Sequence, residues 1–201
     1  MLREHRMTDE DLRVLYDLSI YNCTRFGPYT EIIYEDLQNR QKREYTNIEV
    51  AQEATQLAAG LRALGVEKGD RVIMMMPNCP EVVIGYQAIA RAGAVIIPVL
   101  PLLKAPEIRY IAENSGAKAI FNSALLLPLV RPAVTGILTL HYIISTDIST
   151  EQASTTAETP QLLPYQDVLG AGFIAPNPNQ NVVGAGFIAP NHAASSGFHR
   201  I

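Results

Sequence analysis

GDRVIMMMPNCPEVVIGYQAIARAGAVIIP, residues 69–98, spells a strand, a helix and a second strand, and that order decides the fold. Arg71-Val72-Ile73-Met74-Met75-Met76 is apolar after its first residue and shows no alternation, which is the pattern of a strand covered on both faces. Pro77 ends it. Asn78 stands where it would cap a following helix, with Glu81 at the third helical position, and the apolar content of Val82 through Ala92, stopped at Gly93, predicts a helix lying on a sheet. Ala94-Val95-Ile96-Ile97-Pro98-Val99 then predicts a second strand. A helix between two strands allows them to run parallel, because a parallel pair needs a crossover that a tight turn cannot supply.

Upstream, Val50, Ala54, Leu57, Ala58, Leu61 and Leu64 recur at spacings of three and four, the stripe of an amphipathic helix. Thr46 and Glu49 form a capping box at its start, and Gly65 supplies a left-handed residue at its end. Further upstream, Glu31 through Glu35 and Lys42 through Tyr45 predict a hairpin joined by residues 36–41. Downstream, Pro106 through Glu113 predicts a helix, Gly116 a turn, and Lys118 through Phe121 a short strand. A Pro-interrupted segment follows, and Leu138 through Ser145 predicts a fourth strand. Strands alternating with helices imply an α/β fold: a partial parallel sheet with crossover helices.

Composition divides the chain. Residues 1–150 hold 15 basic and 17 acidic side chains, whereas residues 151–201 hold only Arg200 against Glu151, Glu158 and Asp167. The expected organisation is therefore a partial domain over 1–150 and an irregular, low-complexity tail over 151–201. That tail contains VLGAGFIAPN at 168–177 and VVGAGFIAPN at 182–191, too few copies to stack as a solenoid. A net charge of −4, spread thinly, excludes the concentrated positive field of sequence-independent nucleic-acid binding. Cys23 and Cys79 share no ligand spacing with His5, His141, His192 or His199, so no metal site is expected. The opening residues MLREHRMTDEDL are charged where a secretory signal is apolar, and no uncharged run approaches the ~20 residues of a membrane span. The expected setting is the reducing cytoplasm.

Five segments in succession carry a family resemblance. Arg43 through Val50, Leu57 through Val72, Pro77 through Glu81, Ala90 through Pro98 and Ile111 through Phe121 resemble, in order, the start of the acyl-adenylate-forming, AMP-binding acyl-CoA synthetases. The resemblance implies a protein that joins a carboxylic acid to ATP as an acyl-adenylate and passes the acyl group to coenzyme A, with magnesium accompanying the ATP. The matching residues themselves have structural roles as caps, turns and buried strands. No catalytic, cofactor-binding or metal residue is assigned among them.

The family's phosphate loop has the form T/S-S-G-T-T-G-x-P-K-G, whose amides and hydroxyls surround a polyanion. Ala194-Ser195-Ser196-Gly197-Phe198-His199-Arg200 shares only a Ser-Gly pair with it. The acidic magnesium motif, the ribose-holding aspartate and the small C-terminal domain with its lysine are not matched either. Without such preorganised charge the adenylation transition state is not stabilised. The sequence therefore predicts a truncated ligase-like chain that is inactive alone and binds none of these cofactors. The alternative is a non-catalytic module that binds a full-length homologue or another protein, or self-associates, through the incomplete sheet. A partial nucleotide or acyl-group binder is a third reading.

Other patterns have structural readings. Gly170 through Ala175, preceded by Val168-Leu169, has the G-x-G-x-x-A spelling of a dinucleotide turn and recurs at 184–189. Pro176 and Pro190 interrupt each candidate helix, and no acidic residue follows Asp167. Met74-Met75-Met76 is read as core filler, Cys79 as packing at a helix start, and Arg40, Lys42 and Arg43 as a solvated hairpin turn.

Overall fold

The computed structural model describes residues 15–37, 40–153 and 160–171. Helix α1, Leu15–Phe26, leads into a hairpin of β1, Thr30–Asp36, and β2, Gln41–Thr46, paired antiparallel. Helix α2, Asn47–Ala63, begins at the predicted capping box: the Glu49 amide donates to Thr46 Oγ1 at 3.2 Å, and the Thr46 amide donates to Glu49 Oε2 at 2.7 Å. The reciprocal pair satisfies two otherwise unpaired donors and fixes where the helix starts.

Strand β3, Arg71–Met75, is followed by α3, Pro80–Ala92, and β4, Val95–Pro98. The cap of α3 differs from the expectation. Cys79, not Asn78, is the N-cap residue, because Pro80 occupies the first helical turn, where its missing N–H costs nothing. Helix α4, Ala105–Ser115, ends at Gly116 in the left-handed region, and β5, Ala119–Ser123, follows. The Pro-interrupted segment forms α5, Leu127–Val134, before β6, Tyr142–Thr146.

Regular structure continues beyond the compositional break. A single 3-10 turn at Thr150–Gln152 precedes β7, Gln161–Pro164, which pairs parallel with β6 and leads into α6, Tyr165–Ala171. Low charge in this segment reflects burial rather than irregularity: Leu162, Tyr165 and Val168 are core residues. Residues 172–201, with most of the first GAGFIA phrase and all of the second, lie outside the described residues.

The main sheet has five parallel strands in the order β4-β3-β5-β6-β7. Two cores flank it. On one face Val50, Leu57 and Leu61 of α2 and Ile84 and Ile89 of α3 meet Val72, Met74, Phe121 and Ile144. On the other, Ile108, Val130 and Val134 of α4 and α5 meet Ile73, Met75, Ile120 and Ile143. Each fully buried Leu or Ile contributes roughly 2 kcal/mol of transfer free energy. The Met74-Met75-Met76 run is buried on alternating sides, as core filler should be.

Helix α6 crosses α2 at Gly60. A Cβ built there would lie 1.9 Å from the Val168 carbonyl oxygen, so only glycine allows the two backbones to approach this closely. That crossing fixes where Tyr165, the first residue of α6, enters the structure.

Candidate functional site

In an open parallel sheet the place to look is set by topology. From β3 the chain crosses by α3 to β4 on one side, then returns by α4 to β5 on the other. The helices change face at this step, since α3 packs on the first core and α4 on the second. The loops leaving β3 and β5 therefore diverge beyond the carboxyl ends of these two strands, the place where an open parallel sheet can form a crevice.

The residues at that place are polar and unsatisfied. Asn122 and Ser123 end β5, both buried, and Asn122 Oδ1, Asn122 Nδ2 and Ser123 Oγ have no hydrogen-bond partner among the described residues. Asn122 is in register with Met75 of β3 and Ser145 of β6, and Ser123 with Thr146. By strand alternation Asn122 faces the α4–α5 side, as Ile120 does, while Ser123 faces the α2–α3 side with Phe121. The neighbouring strand end is only locally satisfied: Ser145 Oγ donates to the Thr146 carbonyl at 3.2 Å, and Thr146 Oγ1 donates to Asp147 Oδ2 at 3.0 Å. Asp147 itself has φ +59°, a left-handed conformation that side chains other than Asn and Asp rarely adopt.

On the α2–α3 side the Tyr165 hydroxyl is also buried and unpartnered, with its ring edge-to-face against Phe121 at 6.3 Å between centroids. Burial holds its proton far above the ordinary phenol range, and the carboxylates of Glu53 and Glu81 act in the same direction. Burial likewise raises Glu53, against the opposing charge of Arg43. Cys79 is pushed up to about 12, first by burial and then by Glu81, so its position at a helix start yields no reactive thiolate at neutral pH. Its role is packing.

On the α5 side a cleft of about 360 Å³ opens beyond β5 and β6, with Arg131 and Asp147 at its polar wall and Leu127 and Ile148 at its apolar wall. The basic hairpin residues Lys42 and Arg43 are engaged by their neighbours in the hairpin. Lys42 pairs with Glu44 at 3.2 Å, and the Arg43 guanidinium covers the Tyr45 ring at 4.1 Å.

A family profile described as AMP-binding enzyme matches residues 21–182. The chain belongs to that family. Within it, the chain is 35% identical over 86 residues to a long-chain-fatty-acid–CoA ligase of Bacillus subtilis, a match covering 43% of this chain and 15% of the relative. It is 39% identical over 77 residues to a long-chain-fatty-acid–CoA ligase of Mycobacterium tuberculosis, covering 38% and 15%. A crotonobetaine/carnitine–CoA ligase of Salmonella paratyphi A is 29% identical over 106 residues, covering 53% and 20%. Among solved structures, coronafacic acid ligase from Pectobacterium brasiliense, as its R395G mutant, superposes with a TM-score of 0.68 at 17% identity, over 78% of this chain and 29% of that one. An anthranilate–CoA ligase in complex with anthranoyl-AMP gives 0.62 at 22% identity, over 82% and 30%. These two likenesses establish the fold. The chain thus spans between 15% and 20% of the length of these curated relatives.

Full-length members of this family use ATP, magnesium and coenzyme A. Among the described residues no group of three or more His, Cys, Asp or Glu side chains is placed to hold a metal ion. Around Tyr165 the carboxylates of Glu53 and Glu81 raise the phenol, while the Arg43 guanidinium acts on Glu53 and Tyr45 in the opposite sense. The Ser196-Gly197 pair lies outside the described residues. The first GAGFIA phrase departs from a dinucleotide turn, since Val168 and Leu169 are helical in α6 where a strand is required.

No site residue emerges from the sequence, and the polar groups at the rim were not legible in it. The only signal is that Asn122-Ser123 follow the apolar Ala119-Ile120-Phe121 at the carboxyl end of a buried strand.

Proposed function

We propose that this chain is an amino-terminal segment of an acid–CoA ligase, whose complete form activates a fatty or aromatic carboxylic acid with ATP as the acyl-adenylate and transfers the acyl group to coenzyme A. The observation that carries this reading is the family match across residues 21–182 together with its ligase relatives. The 201 residues do not themselves complete the reaction. None of them spells the phosphate loop. ATP–pyrophosphate exchange over a panel of fatty and aromatic acids tests this: no exchange above background is expected from these residues alone, and steady turnover by the pure protein would overturn it. The proposed setting is the cytoplasm. No helix among the described residues is long and apolar enough to cross a membrane, and Cys23 and Cys79 are free thiols.

A second reading, a non-catalytic module that binds a full-length homologue, another protein or a second copy, is favoured by one observation. Phe26, Ile33 and Leu37 are 65%, 60% and 85% exposed around the hairpin, an apolar surface on a two-stranded sheet. Co-purification with a full-length relative at fixed stoichiometry supports this reading, and its loss in Ile33→Lys locates the contact.

A further inference from the structure

The five-stranded sheet, unpaired at both edges among the described residues, has the form of a template for strand addition, but its edges are built against it. We infer that β4 and β7 are closed to edge-to-edge pairing, so that any association through the five-stranded sheet uses its side-chain surfaces and not its edges. Backbone direction carries the argument. The Val95 amide donates to the Asp70 carbonyl at 2.7 Å and the Val99 amide to the Met74 carbonyl at 2.9 Å. Alternation therefore turns the backbone of Ile96 and Pro98 outward. The Gln161 amide donates to the His141 carbonyl at 2.8 Å, which by the same alternation turns Leu162 and Pro164 outward. At each edge one of the two outward positions is thus proline, which has no N–H to give.

Length acts in the same direction. The edge strands have four residues each, whereas the inner strands β3, β5 and β6 have five each and contain no proline. Short strands and proline are devices that keep exposed edges from pairing. Ile96 and Leu162 are left as the single outward amide donors of β4 and β7. Both prolines stand at the last strand position, so an incoming strand is refused next to the carboxyl rim, where the unsatisfied polar groups lie. This inference is independent of the ligase reading, since it concerns the sheet whether or not the chain has an activity.

Residue-resolved amide exchange across a concentration series tests it. Ile96 and Leu162 are expected to exchange rapidly at every protein concentration, while Val95, Ile97 and Leu163 are protected. In Pro98→Val combined with Pro164→Val, protection of Ile96 and Leu162 is expected to rise at least tenfold with concentration, together with a growing mass by light scattering. Concentration-dependent protection of Ile96 or Leu162 in the unaltered protein would overturn the inference. So would a folded double variant that shows no gain. Should the double variant not fold, the exchange of the unaltered protein decides alone.

Discussion

The two rims of the main sheet are built by opposite rules. At the amino rim polar groups are paired. The Arg71 side chain donates to the Ser115 carbonyl at 2.7 Å and to the Gly116 carbonyl at 2.8 Å, placing a cation on the last turn of α4, where free carbonyls and the helix dipole favour it. Lys118 reaches the Gly65 carbonyl at 2.6 Å and Asp70 at 3.0 Å, tying the turn before β3 to the start of β5. At the carboxyl rim Asn122, Ser123 and Tyr165 keep buried polar atoms without partners among the described residues. Buried polar groups are normally satisfied, and three such side chains gathered at the carboxyl rim mark it as not selected for stability alone.

The largest expected effect breaks the carboxyl rim from a distance. Gly60→Val should cost about 3 kcal/mol, because a side chain collides with the Val168 carbonyl and α6 must lift from α2. Urea denaturation measures the loss, and amide exchange over residues 165–171 should accelerate more than that over α3. If α6 stays protected, its seat on Gly60 does not place Tyr165.

Next is the amino rim itself. Arg71→Ala removes three charge-assisted hydrogen bonds, the third a longer one to the Gly69 carbonyl, and should cost about 2 kcal/mol by the same denaturation. A neutral result would mean that the carbonyls ending α4 are served as well by water. The contrast between rims would then disappear.

A smaller effect sharpens the electrostatics. The Glu67 amide, donating at 2.8 Å, and then Lys118 hold the Asp70 carboxyl below its usual range. A depressed folded pKa stabilises above the unfolded value of about 3.9 and loses that contribution as pH falls through the folded value. Asp70→Asn should therefore cost about 0.5 kcal/mol at pH 7, in keeping with a part-exposed pair, and should flatten the stability profile below pH 4. An unchanged acid limb would show that Asp70 is not the group concerned.

The sheet was legible in the sequence because its punctuation is local. Pro77, Gly93 and Gly116 bound elements whose apolar runs show no alternation, and Gly93 and Gly116 do adopt left-handed caps. What escaped depends on distant partners. Helix α1 has a modest apolar stripe and is held by Ser19 bonding Gln87 and by Asn47 bonding the Gly27 carbonyl. Strand β7 is four residues with a proline, and α6 is seated by a glycine more than a hundred positions upstream. The unpaired state of Asn122 was hidden for a similar reason. An amide at a strand end is ordinary in sequence, and only the folded structure buries it with no side-chain partner among the described residues.

The most direct test of the contrast between rims is equilibrium urea denaturation of Asn122→Leu, a change of similar volume that removes both unpaired atoms. Relieving an unsatisfied buried amide should raise stability by about 1 kcal/mol, opposite in sign to Arg71→Ala. A loss of about 1 kcal/mol or more would show that the Asn122 amide is already satisfied in the folded protein, and the distinction between a paired and an unpaired rim would not stand.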